Sequence, residues 1–266
     1  MKSGRFNDTW SVYRYGNRVK ILYHKNGKIP DKPFEKSQYD EWLERENLAY
    51  AFLRDDDDEI DEGRLSQSVS RTRSKIFEIA LCNPFEWFVT LTLDKEKRDR
   101  FDLSAFRKDF SQFVRNENKK RAEAQKIEYL LIPEQHSDGA WHMHGLFKGL
   151  TENDFIINKN GYFEWLEYSK RFGFFSCSRI KSHEKCSAYI TKYVTKDIKK
   201  STKLNKGQHS YFASQGLKRR EPLFIREKGN IPFIDDFESQ QWDFENDFVK
   251  ICWCNIDENG TINFGE

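Results

Sequence analysis

The chain has 266 residues, a third of them charged and with a formal net charge of only +2, which is length for one large domain or for a domain with appendages. No apolar run is long enough to span a bilayer, and the opening Met1-Lys2-Ser3-Gly4-Arg5 leads into polar residues and not into a signal-peptide core, so a cytoplasmic protein without membrane attachment is expected. The five cysteines, Cys82, Cys177, Cys186, Cys252 and Cys254, are odd in number and irregularly spaced, which argues against a disulfide framework or a four-cysteine zinc site and for reduced thiols.

Residues 10–24 read as a β-hairpin turning at Gly16-Asn17. Residues 37–53 look helical, and the acidic run at 55–62 reads as a loop or linker. From 64 to 81 an amphipathic helix runs into Asn83-Pro84, which stops it. Residues 88–93 form the first core strand, and 103–122 a helix whose Phe106, Phe110, Phe113 and Val114 recur at helical spacing. Residues 127–134 and 141–147 are strands joined through His136-Ser137-Asp138-Gly139, which is turn chemistry, so they should pair. Residues 152–171 mix helix and turns, 174–180 form a further strand, and 183–200 a helix carrying Tyr189 and Tyr193. This alternation predicts an α+β fold with a central, mainly antiparallel sheet flanked by helices. The expected division is an N-terminal appendage at 1–63, a main domain at 64–225, and an acidic segment at 226–266 packed on that domain.

The near-neutral total hides an asymmetry. Residues 179–220 hold twelve Lys or Arg against Glu184 and Asp197, a local balance of +10, whereas 231–266 hold Lys250 against nine acids, or −8. Phosphates meet a local field, screened within about 10 Å at ordinary salt, so the basic stretch is a candidate phosphate-binding surface.

His142-Met143-His144 carries the most chemistry. Residues two apart on a strand share a face, so both imidazoles can reach one metal ion. The hairpin would bring the Glu134 carboxylate beside them, and His136 is assigned to the turn. A His/His/Glu set leaves positions open for phosphate oxygen and water and also suits zinc. Tyr189 and Tyr193 lie one helical turn apart on one face, which Lys192 and Lys196 share. A phenol, with a free pKa near ~10, needs a cation nearby to act as a nucleophile.

The run from Glu134 to Leu146 resembles the metal-binding motif of the HUH endonucleases, the rolling-circle replication initiators of small phages, plasmids and single-stranded DNA viruses. The earlier strand Phe88-Val89-Thr90-Leu91-Thr92-Leu93-Asp94 and the later tyrosine helix stand in the family's order, and the three motifs cover about 110 residues. Tyr189-Ile190-Thr191-Lys192 followed at once by Tyr193-Val194-Thr195-Lys196 duplicates the family's Tyr-x-x-Lys unit and looks like its two-tyrosine class. The resemblance implies a ferredoxin-like or RRM-like sheet with the metal site on its face. It also implies a working Mg²⁺ or Mn²⁺ on Glu134, His142 and His144, catalysis by Tyr193 and Tyr189 with Lys192 and Lys196, and a 5′-phosphotyrosine intermediate. Tyr193 is favoured as the first nucleophile, because Lys196-Asp197 follows it as in the single-tyrosine initiators. The expected partner is single-stranded or hairpin origin DNA. No phosphate loop of the Gly-x-x-x-x-Gly-Lys-Ser/Thr type occurs, so a host helicase and polymerase are expected as well. A relaxase or transposase of the same chemistry is an alternative, though relaxases usually carry the tyrosine near the N-terminus. More distant are a zinc-dependent hydrolase, which needs no tyrosine, and a DNA-binding regulator, which needs neither metal nor tyrosine. Of the aromatic residues Phe163, Trp165, Tyr168, Phe172, Phe174 and Phe175, most should be core and a few available to stack on unpaired bases. Tyr211-Phe212 and Lys218-Arg219-Arg220 are a further candidate DNA-contacting segment.

Overall fold

The computed structural model describes residues 6–28, 63–158, 161–194, 210–227, 242–245, 249–257 and 259–263. The predicted helix at 37–53, the acidic run at 55–62, residues 195–200 of the tyrosine helix with Lys196, and the basic Lys199, Lys200 and Lys203 lie outside the described residues. The chain divides into two compact units, residues 1–71 with 219–266, and residues 72–218.

The first unit starts with strands β1 (Phe6–Tyr15) and β2 (Arg18–Lys28), which turn at Gly16-Asn17 with Gly16 at φ 63. Tyr15 pairs with Arg18, as a two-residue hairpin loop requires.

Helix α1 (Gly63–Cys82) crosses the division between the units and ends at Asn83, whose side-chain amide donates to the Ile79 carbonyl at 2.8 Å. The second unit is built on one antiparallel sheet of β3 (Trp87–Thr92), β4 (Glu128–Gln135), β5 (Trp141–Lys148), β8 (Phe175–Arg179) and β9 (Phe212–Ala213), in the order β8-β3-β5-β4-β9. Period-2 alternation sends Trp87, Val89 and Leu91, with Met143, Phe147 and Phe175, to one face. Against that face packs α2 (Leu103–Asn118), capped by the Asp102 side chain and burying Phe106, Phe110, Phe113 and Val114 as its spacing predicts. The α+β architecture, an antiparallel sheet flanked by helices, is the one expected from the sequence.

Residues 152–171 depart from the helix-and-turn expectation. A hairpin of β6 (Phe155–Ile157) and β7 (Phe163–Trp165) occupies most of the stretch, and helix α3 is only Leu166–Arg171. Gly161 at φ 79 and the Asn158 carboxamide oxygen, which accepts from the Tyr162 amide at 3.1 Å, make the turn, and strands of three residues are too short to display a period. The predicted continuous tyrosine helix is interrupted too. Helix α4 (His183–Ile190) begins at the Ser182 cap and gives way to a tight turn at Thr191-Lys192, where the Thr191 hydroxyl donates to the Ala188 carbonyl at 2.7 Å, and helical backbone resumes at Tyr193. Helix α4 is tied to the end of α1 by a 2.8 Å bond between His183 Nε2 and the Asn83 carbonyl.

The remaining strands, β10 (Glu221–Glu227), β11 (Phe244–Glu245), β12 (Val249–Ile256) and β13 (Ile262–Asn263), return to the first unit. There β10 pairs with β1, and β12 with β2, β11 and β13. Val12, Val19, Ile21, Cys252 and Cys254 are buried together. The segment expected to contact DNA is partly used for packing, because Phe212 is buried under the Arg107 guanidinium, and Arg220 lies over the Tyr13 ring and donates to the Tyr15 hydroxyl at 3.1 Å. Among the described residues no helix is long and apolar enough to cross a membrane.

Two features make stability predictions. Gly145 sits between His144 and Leu146 in β5, and a Cβ there would fall on Leu131 Cδ2 and lie 2.8 Å from the Leu130 carbonyl oxygen. Gly145→Ala should therefore lower stability by about 1–3 kcal/mol, read by urea unfolding. Arg121 fastens the loop after β5 by donating to the Gly149 carbonyl at 3.0 Å and by pairing with Asp154. Burial opposes the Asp154 charge, but the bonds from Arg121 and Thr151 outweigh it and hold the carboxyl below its usual pKa. A carboxyl depressed in the folded state contributes stability above its unfolded pKa and loses it as pH falls through the folded one. Below about pH 4, unfolding midpoints should fall more steeply for the native protein than for Asp154→Asn.

Candidate active site

The face of the second sheet opposite α2 carries the predicted site residues, and strand register sets them in cross-strand rows. Glu134 on β4 pairs with His142 on β5, which pairs with Thr92 on β3. In the next row Ile132, His144, Thr90 and Ser176 stand in line. Directly opposed residues of antiparallel strands point to the same side, so the two imidazoles, the carboxylate and two threonine hydroxyls converge.

Each histidine has its Nδ1 engaged, His142 with Thr92 Oγ1 at 3.0 Å and His144 with Thr90 Oγ1 at 3.2 Å. His144 Nε2 meets Glu134 Oε2 at 2.7 Å. His136 makes the turn, its amide donating to the Ala140 carbonyl at 2.9 Å, and also stacks its ring on His142 with centroids 3.6 Å apart. Burial, aided by the neighbouring His136 and His144, holds the His142 pKa below the ordinary histidine value, so its ring is neutral at pH 7.

The tyrosines lie over the same face. The half-buried Tyr193 ring stacks on His144 with centroids 3.8 Å apart and planes 19° from parallel, and its hydroxyl donates to the Tyr189 hydroxyl at 2.9 Å. Tyr189 is 47% exposed, and both phenols rest against Phe88 of β3. Despite the break in the helix, the two hydroxyls meet. Lys192 lies 5.8 Å from the centre of the Tyr189 ring. Burial, then the bond to Tyr189 and the nearby Tyr189 and Glu134, push the Tyr193 phenol well above its usual pKa. The protein alone therefore keeps it protonated, and positive charge is needed to release a phenolate.

The donor chemistry fits a divalent cation: neutral imidazoles oriented through Nδ1 by hydroxyl partners, with a carboxylate beside one Nε2. Among the described residues, no three His, Cys, Asp or Glu side chains are gathered as a closed metal cluster. Glu134 is paired with His144, and the His142 ring lies against His136. Thr90 and Thr92 were not singled out in the sequence, although Thr-Leu-Thr on the neighbouring strand repeats the spacing of His-Met-His.

Residues 86–198, which run from the start of β3 through α4, match the model of a family of replication-associated proteins of the ORF2 type. No curated protein and no solved structure matches the chain. The segment that is similar to replication-associated proteins is thus the one that carries the histidines, the carboxylate and both tyrosines.

Proposed function

We propose that this protein is a single-stranded DNA nicking and joining enzyme of the HUH type, of the two-tyrosine class, which initiates rolling-circle replication by cutting an origin strand. The observation that carries this reading is the Tyr193 phenol stacked on His144 and bonded to Tyr189, above the Glu134 and His142 row, within a segment similar to replication-associated proteins. A divalent cation, Mg²⁺ or Mn²⁺ with Zn²⁺ also suited by the donors, would be held by Glu134, His142 and His144 and would polarise the scissile phosphate.

The remaining chemistry belongs to the side chains. Tyr193 Oη attacks phosphorus, the bond to the 3′ oxygen breaks, and the leaving oxygen takes a proton to become a free 3′-OH, while the strand's 5′ phosphate stays on the tyrosine. The phenol proton is already directed at Tyr189 Oη, whose exposure opens a path to water. Lys192 stabilises an anion on Tyr189 when that residue takes its turn, and Lys196 is the second ammonium proposed for the pair. Attack by a 3′-OH reverses the step and rejoins strands without ATP. Strand separation and synthesis fall to a separate helicase and polymerase.

The test is to incubate the full chain with Mn²⁺ and labelled single-stranded DNAs tiled across the replicon. A denaturing gel should show one covalent adduct, with the modified peptide containing Tyr193 or Tyr189. An adduct on another residue, or none on any tile, overturns the proposal.

A further inference from the structure

Six aromatic residues crowd positions 163–175, and the fold buries Trp165, Tyr168, Phe172 and Phe175. Phe174 is 48% exposed. A single exposed phenyl ring is ordinary on a protein surface, so exposure alone says little. Three further observations set this one apart.

The first is register. Leu91 pairs with Phe175, and the Thr92 amide donates to the Phe174 carbonyl at 2.9 Å, so Phe174 continues the row of Thr92, His142 and Glu134 onto the edge strand. Phe175 points into the core, which puts Phe174 on the face of the candidate site. Two strand spacings separate it from His142, roughly 10 Å, within reach of one or two nucleotides of extended single strand.

The second is rigidity. Gly173 has φ 148, and a Cβ on it would fall on the Thr92 carbonyl oxygen and lie 2.5 Å from the Asp94 amide nitrogen. The Asp94 amide donates to the Phe172 carbonyl at 2.8 Å. The backbone bearing the ring is therefore clamped to the end of β3, and little ordering remains for a ligand to impose.

The third is charge. Lys95 follows Asp94 directly, is exposed, and has no ion pair among the described residues, so a cation leaves the sheet beside the ring.

We infer that Phe174 is a stacking platform for an unpaired base of the DNA strand lying on the candidate site, with Lys95 meeting an adjacent phosphate. This deepens the proposed function and rests on it. Phe174 is a positioning residue that holds the strand in place while other groups react.

The test measures binding by the full chain, using fluorescence anisotropy with two labelled probes of about 20 nucleotides, oligo(dA) and an abasic strand of equal length and charge. The native protein should bind oligo(dA) more tightly. Phe174→Ala and Phe174→Leu should weaken oligo(dA) binding roughly tenfold and leave the abasic strand unchanged, whereas Phe174→Trp should keep the preference. Lys95→Gln should lower the log–log salt slope by about 0.7 on both probes. Tyr162→Ala, which removes a ring 58% exposed on the β6–β7 hairpin, should change neither. If Phe174→Ala fails to fold, Phe174→Leu carries the test. Native-like oligo(dA) binding by Phe174→Leu, or an equal loss on both probes or from Tyr162→Ala, overturns the inference and leaves the proposed function standing. Absence of binding to either probe by the native protein overturns both.

Discussion

Replacing both Tyr189 and Tyr193 by Phe should abolish the covalent DNA adduct while leaving the fold intact, because each change keeps the ring that packs on Phe88 and removes only an oxygen. The single variants should differ. Tyr193 lies against His144, so Tyr193→Phe should slow the first cleavage by at least about a thousandfold, the scale on which nucleophile removal acts in other covalent enzymes. Tyr189→Phe should cut once in a single-turnover assay and then stall, since the second strand exchange needs a free phenol while Tyr193 is occupied. Adduct formation by the double variant would refute covalent catalysis by this pair. Full repeated turnover by Tyr189→Phe would reduce the site to one nucleophile and leave Tyr189 a packing residue.

The second large effect concerns Glu134, His142 and His144. Each is half-buried and on the open face, so replacement by Ala should spare folding. The triple variant should show no cleavage, and EDTA should silence the native protein until Mn²⁺ is restored. Thr92→Val and Thr90→Val give a finer reading. Both remove the hydroxyl that orients an imidazole, and the Mn²⁺ concentration for half-maximal cleavage should rise about 10- to 100-fold. Cleavage that persists in the triple variant, or is indifferent to EDTA, would remove the metal from the reaction.

Much of this site is local, and local patterns are legible. His142 and His144 alternate with the buried Met143, the residues of the 136–139 turn dictate a hairpin, and that hairpin alone brings Glu134 opposite His142. What lay beyond sequence reading depends on register between strands distant in the chain. Nothing near Thr90 and Thr92 announces that they face the histidines about fifty residues on. The break at Thr191 was hidden because Tyr189, Lys192, Tyr193 and Lys196 keep helical spacing across it. His136 was legible as a turn residue, while its stacking on His142 depends on side-chain placement. The pairing of β2 with β12 was hidden for the same reason as the threonines, since alternation marks a strand and not its partner.

That pairing has a consequence on the ribosome. His24 of the first hairpin pairs with Val249, and the residues of the second unit all lie between them in the chain. At roughly 5–20 residues per second the opening hairpin waits about 10 to 45 s for β12 to be made. The sheet bearing the histidines has its own strands complete by Ala213, so it can close during this interval. During synthesis, the proposed DNA-cutting chemistry is thus assembled ahead of the unit whose strands open and close the chain.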